Sequence, residues 1–235
     1  MKLKVIVIPH AGGLASAYYP FKKYNSDLFE YHFIELSGRG KRIEESLYEN
    51  FIEATEDILL QISNVIFEGP YVIFGHSMGS WLAYELYYQI LERGFPLPLH
   101  MFLSGNRSPF IKPSGTLLDA DDEHFIDYIV RNHNANRKIF RIEKLRELFL
   151  PILRADYRMM ELYRPKLNRT KISVDISVLG GDEDPLIISG FLDWQRLANA
   201  NIYFKKYSGK HFYIFDKFEE VSNDMRHTIE LKHQV

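Results

Sequence analysis

The 235-residue chain contains no cysteine, which excludes disulfides, thiolate metal centres and cysteine nucleophiles at once. It has no dominant sign of charge either. The 29 Lys and Arg against 31 Asp and Glu leave a formal net charge of −2, so bulk electrostatics offer no attraction to nucleic acid or to an anionic membrane surface. No apolar run approaches the length of a membrane span. The first such run, Val5-Ile6-Val7-Ile8 before Pro9, is too short for the apolar core of a signal peptide. Internal repeats, low-complexity tracts and flexible linkers are also missing. What remains is 46% apolar and 26% charged, the make-up of an ordinary globular protein. The length suits one large α/β domain over residues 1–235 with a substantial core. A cytoplasmic monomer is the expectation, with no nucleic acid and no membrane among its partners.

Periodicity places the elements. Leu3 to Ile8 reads as a buried strand, followed by the loop His10-Ala11-Gly12-Gly13 and a short helix over Ser16 to Tyr24. A second strand is predicted over His32 to Leu36. Asn50 can cap a helix whose apolar face is Phe51, Ala54, Ile58, Ile62 and Val65, and Gly69-Pro70 ends it. Tyr71 to Phe74 and His100 to Leu103 read as strands around a helix that starts at Trp81. The region 108–165 has no strand-like run. It carries helical stretches near Asp121 to Arg131 and Ile142 to Tyr163, joined by the polar segment Asn132 to Arg137. Phe125, Ile129, Leu145, Phe149 and Leu153 are its expected apolar face, and Pro151 is expected to kink the second stretch. The alternation resumes with a strand over Ile172 to Leu179, a helix near Gly190 to Asn199, and a strand over Ile202 to Tyr207. A closing helix carries Phe218, Val221, Met225 and Ile229. Strands alternating with helices predict an α/β fold, a mostly parallel sheet flanked by helices on both faces.

The chemistry centres on Gly75-His76-Ser77-Met78-Gly79. Strand, Gly-x-Ser-x-Gly, helix is the context of a nucleophile elbow, in which a strained turn lifts the serine to the carboxyl edge of the sheet. The flanking glycines let strand and helix approach. Ser77 is therefore the candidate nucleophile. A serine hydroxyl needs a base to take its proton, and that base is usually a histidine oriented by a carboxylate. In α/β-hydrolases the chain order is serine, acid, histidine. His211 follows the last predicted strand in the loop Ser208-Gly209-Lys210-His211-Phe212, downstream of an acidic turn. It is the candidate base, and His10 and His76 are read as structural. The acid comes from Asp182-Glu183-Asp184-Pro185; Asp184 is chosen and Asp182 is the alternative. The oxyanion needs backbone donors. The N–H of Met78 follows the nucleophile, and the second donor is the N–H of Ala11, with His10 as its alternative. In such a hydrolase an all-helical insertion at 108–165 reads as a lid. No metal or redox cofactor is required.

Taken together, these residues resemble the type II thioesterases, stand-alone editing hydrolases of nonribosomal peptide and polyketide synthases. Pro9-His10-Ala11-Gly12-Gly13 resembles their Pro-x-Ala-Gly-Gly, and Leu36-Ser37-Gly38-Arg39-Gly40-Lys41-Arg42 their Leu-Pro-Gly-Arg-Gly-x-Arg. Gly75 to Gly79 is their Gly-His-Ser-Met-Gly. Pro151-Ile152-Leu153-Arg154-Ala155-Asp156-Tyr157 resembles their Pro-x-Leu-Arg-Ala-Asp-Phe/Tyr. Gly181-x-x-Asp184-Pro185 and Gly209-Lys210-His211-Phe212 resemble the acid and histidine motifs. The resemblance implies hydrolysis of acyl groups from the phosphopantetheine arm of acyl or peptidyl carrier proteins by Ser77, Asp184 and His211. Two departures stand out: Ser37 in place of proline, and Asn132 to Asn136 in place of a Gly-Gly-x-Pro turn in the lid. A stand-alone esterase or fatty acyl thioesterase is the alternative function, and a non-catalytic carrier-binding protein a further one. If an acidic carrier docks through a basic patch, Arg39, Lys41 and Arg42 are the candidates.

Overall fold

The computed structural model describes residues 2–111, 116–133 and 137–233. Six strands form one sheet: β1 (Leu3–Ile8), β2 (Phe29–Phe33), β3 (Tyr71–His76), β4 (His100–Ser104), β5 (Asp175–Gly181) and β6 (Ile202–Tyr207). Their spatial order is β2-β1-β3-β4-β5-β6, every pair parallel. Apolar side chains alternate between two cores. Ile6, Ile8, Ile73, Met101, Leu103, Ile176 and Val178 face one, and Leu3, Val5, Val7, Val72, Phe74 and Phe102 the other. Burial on both faces explains why these strands read as continuous apolar runs. The first core is closed by α1 (Phe51–Phe67) and α2 (Met78–Glu92). The second is closed by α7 (Phe218–His233) and a 3-10 stretch over Ala15–Lys23.

After β4 the chain leaves the sheet for an inserted helical region, α3 (Asp122–His133), α4 (Arg137–Phe140) and α5 (Glu143–Leu162), before β5 resumes it. A parallel sheet flanked by helices, with this insertion, is the α/β-hydrolase arrangement. α5 runs through Pro151 as one helix and lies between two environments. Met159 joins the main core, while Leu150 packs with Phe125, Ile126 and Ile129 in the insertion's own cluster, with Leu153 and Tyr157 at its margin. The apolar face is thus set by Leu150 rather than by Leu145 and Phe149, which are half-buried. Residues 134–136 of the polar Asn132 to Arg137 segment lie outside the described residues.

Three further elements differ from the sequence reading. β2 starts at Phe29, pairing with Leu3, rather than at His32. It is an edge strand, so its polar residues Glu30 and His32 alternate with Phe29, Tyr31 and Phe33 instead of forming a solid apolar run. β5 begins at Asp175, and Ile172 makes only an isolated bridge to Ala198. In place of one helix over Gly190 to Asn199 there are two short elements, α6 (Pro185–Gly190) and a 3-10 stretch over Phe191–Leu197.

The basic-patch reading is overturned. Arg39 is fully buried and paired with Asp156. Arg42 is neutralised by Asp57 and Glu45, so Lys41 alone of the three is exposed.

Candidate active site

The sheet order reverses direction between β1 and β3, and ligands of open α/β sheets bind beyond the carboxyl ends of the strands at such a switch point. The loop after β1 holds Ala11 and the turn after β3 holds Ser77, so two of the candidate residues follow neighbouring strands at that switch point.

Ser77 has φ 55° and ψ −118°, a backbone state that costs a non-glycine residue on the order of 1–3 kcal/mol and persists only where the surroundings over-determine it. Here they do. Its N–H donates to the Ser104 carbonyl (2.8 Å). Its own carbonyl accepts from Ser80 N–H (3.0 Å), Ser80 Oγ (2.7 Å) and Asn106 Nδ2 (3.1 Å). The two flanking glycines are required by contact. A Cβ on Gly75 would overlap the backbone of Gly79, and one on Gly79 would overlap the carbonyl of Ile8. Asn106 lies outside the elbow motif, and nothing local in the sequence marks it.

His211 and Asp184 arrive at Ser77 from the ends of β6 and β5. Ser77 Oγ lies 2.9 Å from His211 Nε2, and His211 Nδ1 lies 2.7 Å from Asp184 Oδ2. All three are buried. Asp184 has a second contact: its Oδ1 accepts Leu186 N–H at 3.0 Å while Pro185 opens α6. This is the Asp cap and first-position Pro of a helix start, a signal that the dipeptide Asp184-Pro185 carried and the sequence reading used only for the acid. Asp182 is exposed and accepts Gly209 N–H at 3.0 Å. It therefore steadies the loop before His211 without reaching the ring.

The other two histidines near the site are engaged elsewhere. His76 Nδ1 pairs with Ser104 Oγ (2.9 Å), which meets Tyr213 Oη at 2.7 Å. His10 Nδ1 meets Tyr18 Oη at 2.7 Å, and its N–H donates to the same oxygen at 3.3 Å. Burial, then the neighbouring His211 and Arg39, push the His10 imidazole down to about 3. Burial raises the Tyr18 phenol, so a protonated Tyr18 donates to a neutral His10 across the ordinary pH range.

The loop after β1 is a turn in which Gly13 N–H donates to the His10 carbonyl (2.9 Å) and Gly12 has φ 74°, the mark of a type II turn with glycine third. Of its amides, His10 N–H is held by Tyr18, Gly13 N–H by His10, and Gly12 N–H by Asp156 Oδ2 at 2.7 Å. The N–H of Ala11 has no acceptor among the described residues. Met78, the first residue of α2, has one of the amides that a helix start leaves without an intrahelical carbonyl. A nucleophile paired with a base, and that base paired with a carboxylate, can perform acyl transfer. Among the described residues, no group of three or more His, Asp or Glu side chains is disposed to hold a metal ion.

Comparison with known proteins agrees with this geometry. The Thioesterase domain family matches residues 3–229. Thioesterase PikA5 of Streptomyces venezuelae is 30% identical over 226 residues, 95% of this chain and 79% of that protein. Among solved structures, ClbQ of the colibactin pathway superposes with a TM-score of 0.92 at 29% identity, covering 99% of both chains. The type II thioesterase BorB of the borrelidin cluster gives 0.84 at 25% identity, over 97% of this chain and 92% of that one. Elbow, sheet order, inserted helices and a match along nearly the whole chain lead to one assignment: the chain belongs to the thioesterase family, as a type II member of the α/β-hydrolase superfamily.

Proposed function

We propose that this thioesterase releases acyl groups from the phosphopantetheine arm of acyl or peptidyl carrier proteins, clearing mis-primed nonribosomal peptide or polyketide synthases. The observation that carries the reading is the continuous relay from Ser77 Oγ through His211 to Asp184, at 2.9 and 2.7 Å, in a chain that matches thioesterases over nearly its full length. In the proposed reaction His211 Nε2 takes the proton of Ser77 Oγ as the oxygen attacks the thioester carbonyl. Asp184 stabilises the imidazolium, and the N–H groups of Met78 and Ala11 take the negative charge of the tetrahedral intermediate. Collapse breaks the C–S bond, and the pantetheine thiol leaves with the proton from His211. Water, deprotonated by the same histidine, then attacks the acyl-serine; a second tetrahedral intermediate releases the carboxylic acid and returns the proton to Ser77. The reading treats 1–235 as one domain with 108–165 as its lid, acting as a cytoplasmic monomer. Among the described residues no helix is long and apolar enough to cross a membrane.

The test is single-turnover release of short acyl groups from a loaded carrier protein, beside the matching acyl-CoA and a simple ester, with wild type and Ser77→Ala. Fast, serine-dependent release from the carrier is expected. Preference for the free ester would move the protein to the general esterases, and release that survives Ser77→Ala would overturn the serine mechanism.

A further inference from the structure

Asp156 is a buried carboxylate on the inserted helix α5 that the reaction above does not use. It is 2% exposed and meets three donors from two separate loops. Its Oδ1 accepts Arg39 Nη2 at 2.8 Å, and its Oδ2 accepts Arg39 Nη1 at 2.6 Å and Gly12 N–H at 2.7 Å. Arg39 is 0% exposed, and its Nε donates to the Ser37 carbonyl at 3.3 Å. One turn earlier on α5, Leu153 packs directly against Gly12, so closely that a Cβ there would overlap its side chain. Residues three apart on a helix share a face, so a single face of α5 grips the turn with one apolar and one charged side chain.

The gripped peptide matters. The N–H of Gly12 belongs to the central peptide of the type II turn, the unit whose orientation separates turn types I and II. Tyr18 holds the amide on one side of Ala11 and Asp156 holds the amide on the other. Ala11 N–H is thereby left as the one amide of the turn with no acceptor among the described residues. We infer that Asp156, charged and oriented by Arg39, is a positioning residue for the oxyanion hole: it fixes the Gly12 peptide so that Ala11 N–H is aimed at the oxyanion of the thioester intermediate. The inference rests on the proposed serine mechanism and adds to it that α5 is part of the site's frame as well as part of the insertion.

Two paired variants separate aim from mere stability. A buried ion pair replaced on both sides by apolar groups of similar volume is often neutral for folding, so Arg39→Met with Asp156→Leu removes the acceptor for Gly12 without stranding a charge. Arg39→Met with Asp156→Asn also removes both charges but keeps a carbonyl oxygen for Gly12. The Leu pair is expected to lose about 100-fold in kcat for carrier-bound acyl groups, the loss typical of one missing oxyanion donor, with KM within about twofold. The Asn pair should recover most of that loss at a similar melting temperature. Equal kcat in the two pairs, or a change confined to KM, overturns the inference. A measurement on wild type covers the case in which a pair does not fold. When a peptide boronic acid forms its adduct at Ser77, the amide resonances of Ala11 and Met78 should shift while that of Gly12, already bonded, stays in place; a shift at Gly12 in place of Ala11 overturns the assignment. Ser77→Ala runs alongside. Turnover that persists in it refutes the serine mechanism itself, whereas serine-dependent turnover with indistinguishable pairs refutes only the role of Asp156.

Discussion

Single residues carry several constraints at this site, and their substitutions separate accordingly. Asp184 caps α6 with one carboxylate oxygen and meets His211 with the other. Asparagine keeps the cap but cannot stabilise an imidazolium as a carboxylate does. Asp184→Asn should therefore lower kcat by about 10³–10⁴-fold, on the scale of other serine triads, with the melting temperature little changed. Asp182→Asn, altering an exposed turn, should leave kcat near wild type, so the two variants assayed together decide between the neighbouring acids. Gly79→Ala should behave differently from both. Its Cβ has no space against the Ile8 carbonyl, and the expected result is loss of soluble, cooperatively melting protein rather than loss of turnover alone.

At the scale of elements, propensity and capping decide how well the chain announces itself. Asn50 accepts Glu53 N–H at 3.0 Å to open α1. Asn50→Ala should cost about 1 kcal/mol of stability, read as a lower urea midpoint with unchanged slope. That helix was legible in the sequence because its cap and its 3.6-residue apolar face agree, and β1, β3 and β4 were legible because burial on both faces leaves uninterrupted apolar runs. β2 was placed three residues late because an edge strand alternates instead. α6 was missed because six residues give too little periodicity to read, although Asp184-Pro185 marked its start. The apolar face of α5 was drawn a residue out of phase at Phe149 because the helix packs against two clusters, and no single stripe describes it. Ser77, His211 and Asp184 meet in space because strand-end loops on one sheet edge must converge, and that convergence is readable from the order of the predicted strands. Asn106 and Tyr18 were not legible, since they lie outside the motifs, and Asp156, although inside the Pro151 to Tyr157 motif, carries nothing local that points to Arg39 and Gly12 as its partners.

At the scale of the whole molecule, the insertion is fastened to the body by buried charge. Glu85 on α2 takes two hydrogen bonds from Arg169, at 2.8 and 2.5 Å, and one from Tyr163 at the end of α5, at 2.6 Å. Burial acts to raise the Glu85 carboxyl, but the Arg169 guanidinium and the Tyr163 hydroxyl outweigh it and hold the group below the ordinary glutamate range. A depressed folded pKa means that the unfolded chain binds the proton first. The contribution of Glu85 is thus complete above the unfolded value, about 4.3, and is lost as pH falls through the folded one. Glu85→Gln should lower the melting temperature at pH 7, by the equivalent of about 3 kcal/mol for a broken buried pair, and the gap from wild type should narrow as melts are taken from pH 6 towards pH 3. The all-parallel sheet has a different consequence, in time rather than in energy. Ser77 meets a ring 134 positions further along the chain, and Ala11, the proposed second oxyanion donor, lies on the first crossover. No local segment contains a working fragment of the site. Non-local parallel pairing is slow to form, so in refolding from urea the capacity of Ser77 to react with a fluorophosphonate should return after helical circular dichroism has recovered, in step with closure of β5 and β6 onto the sheet.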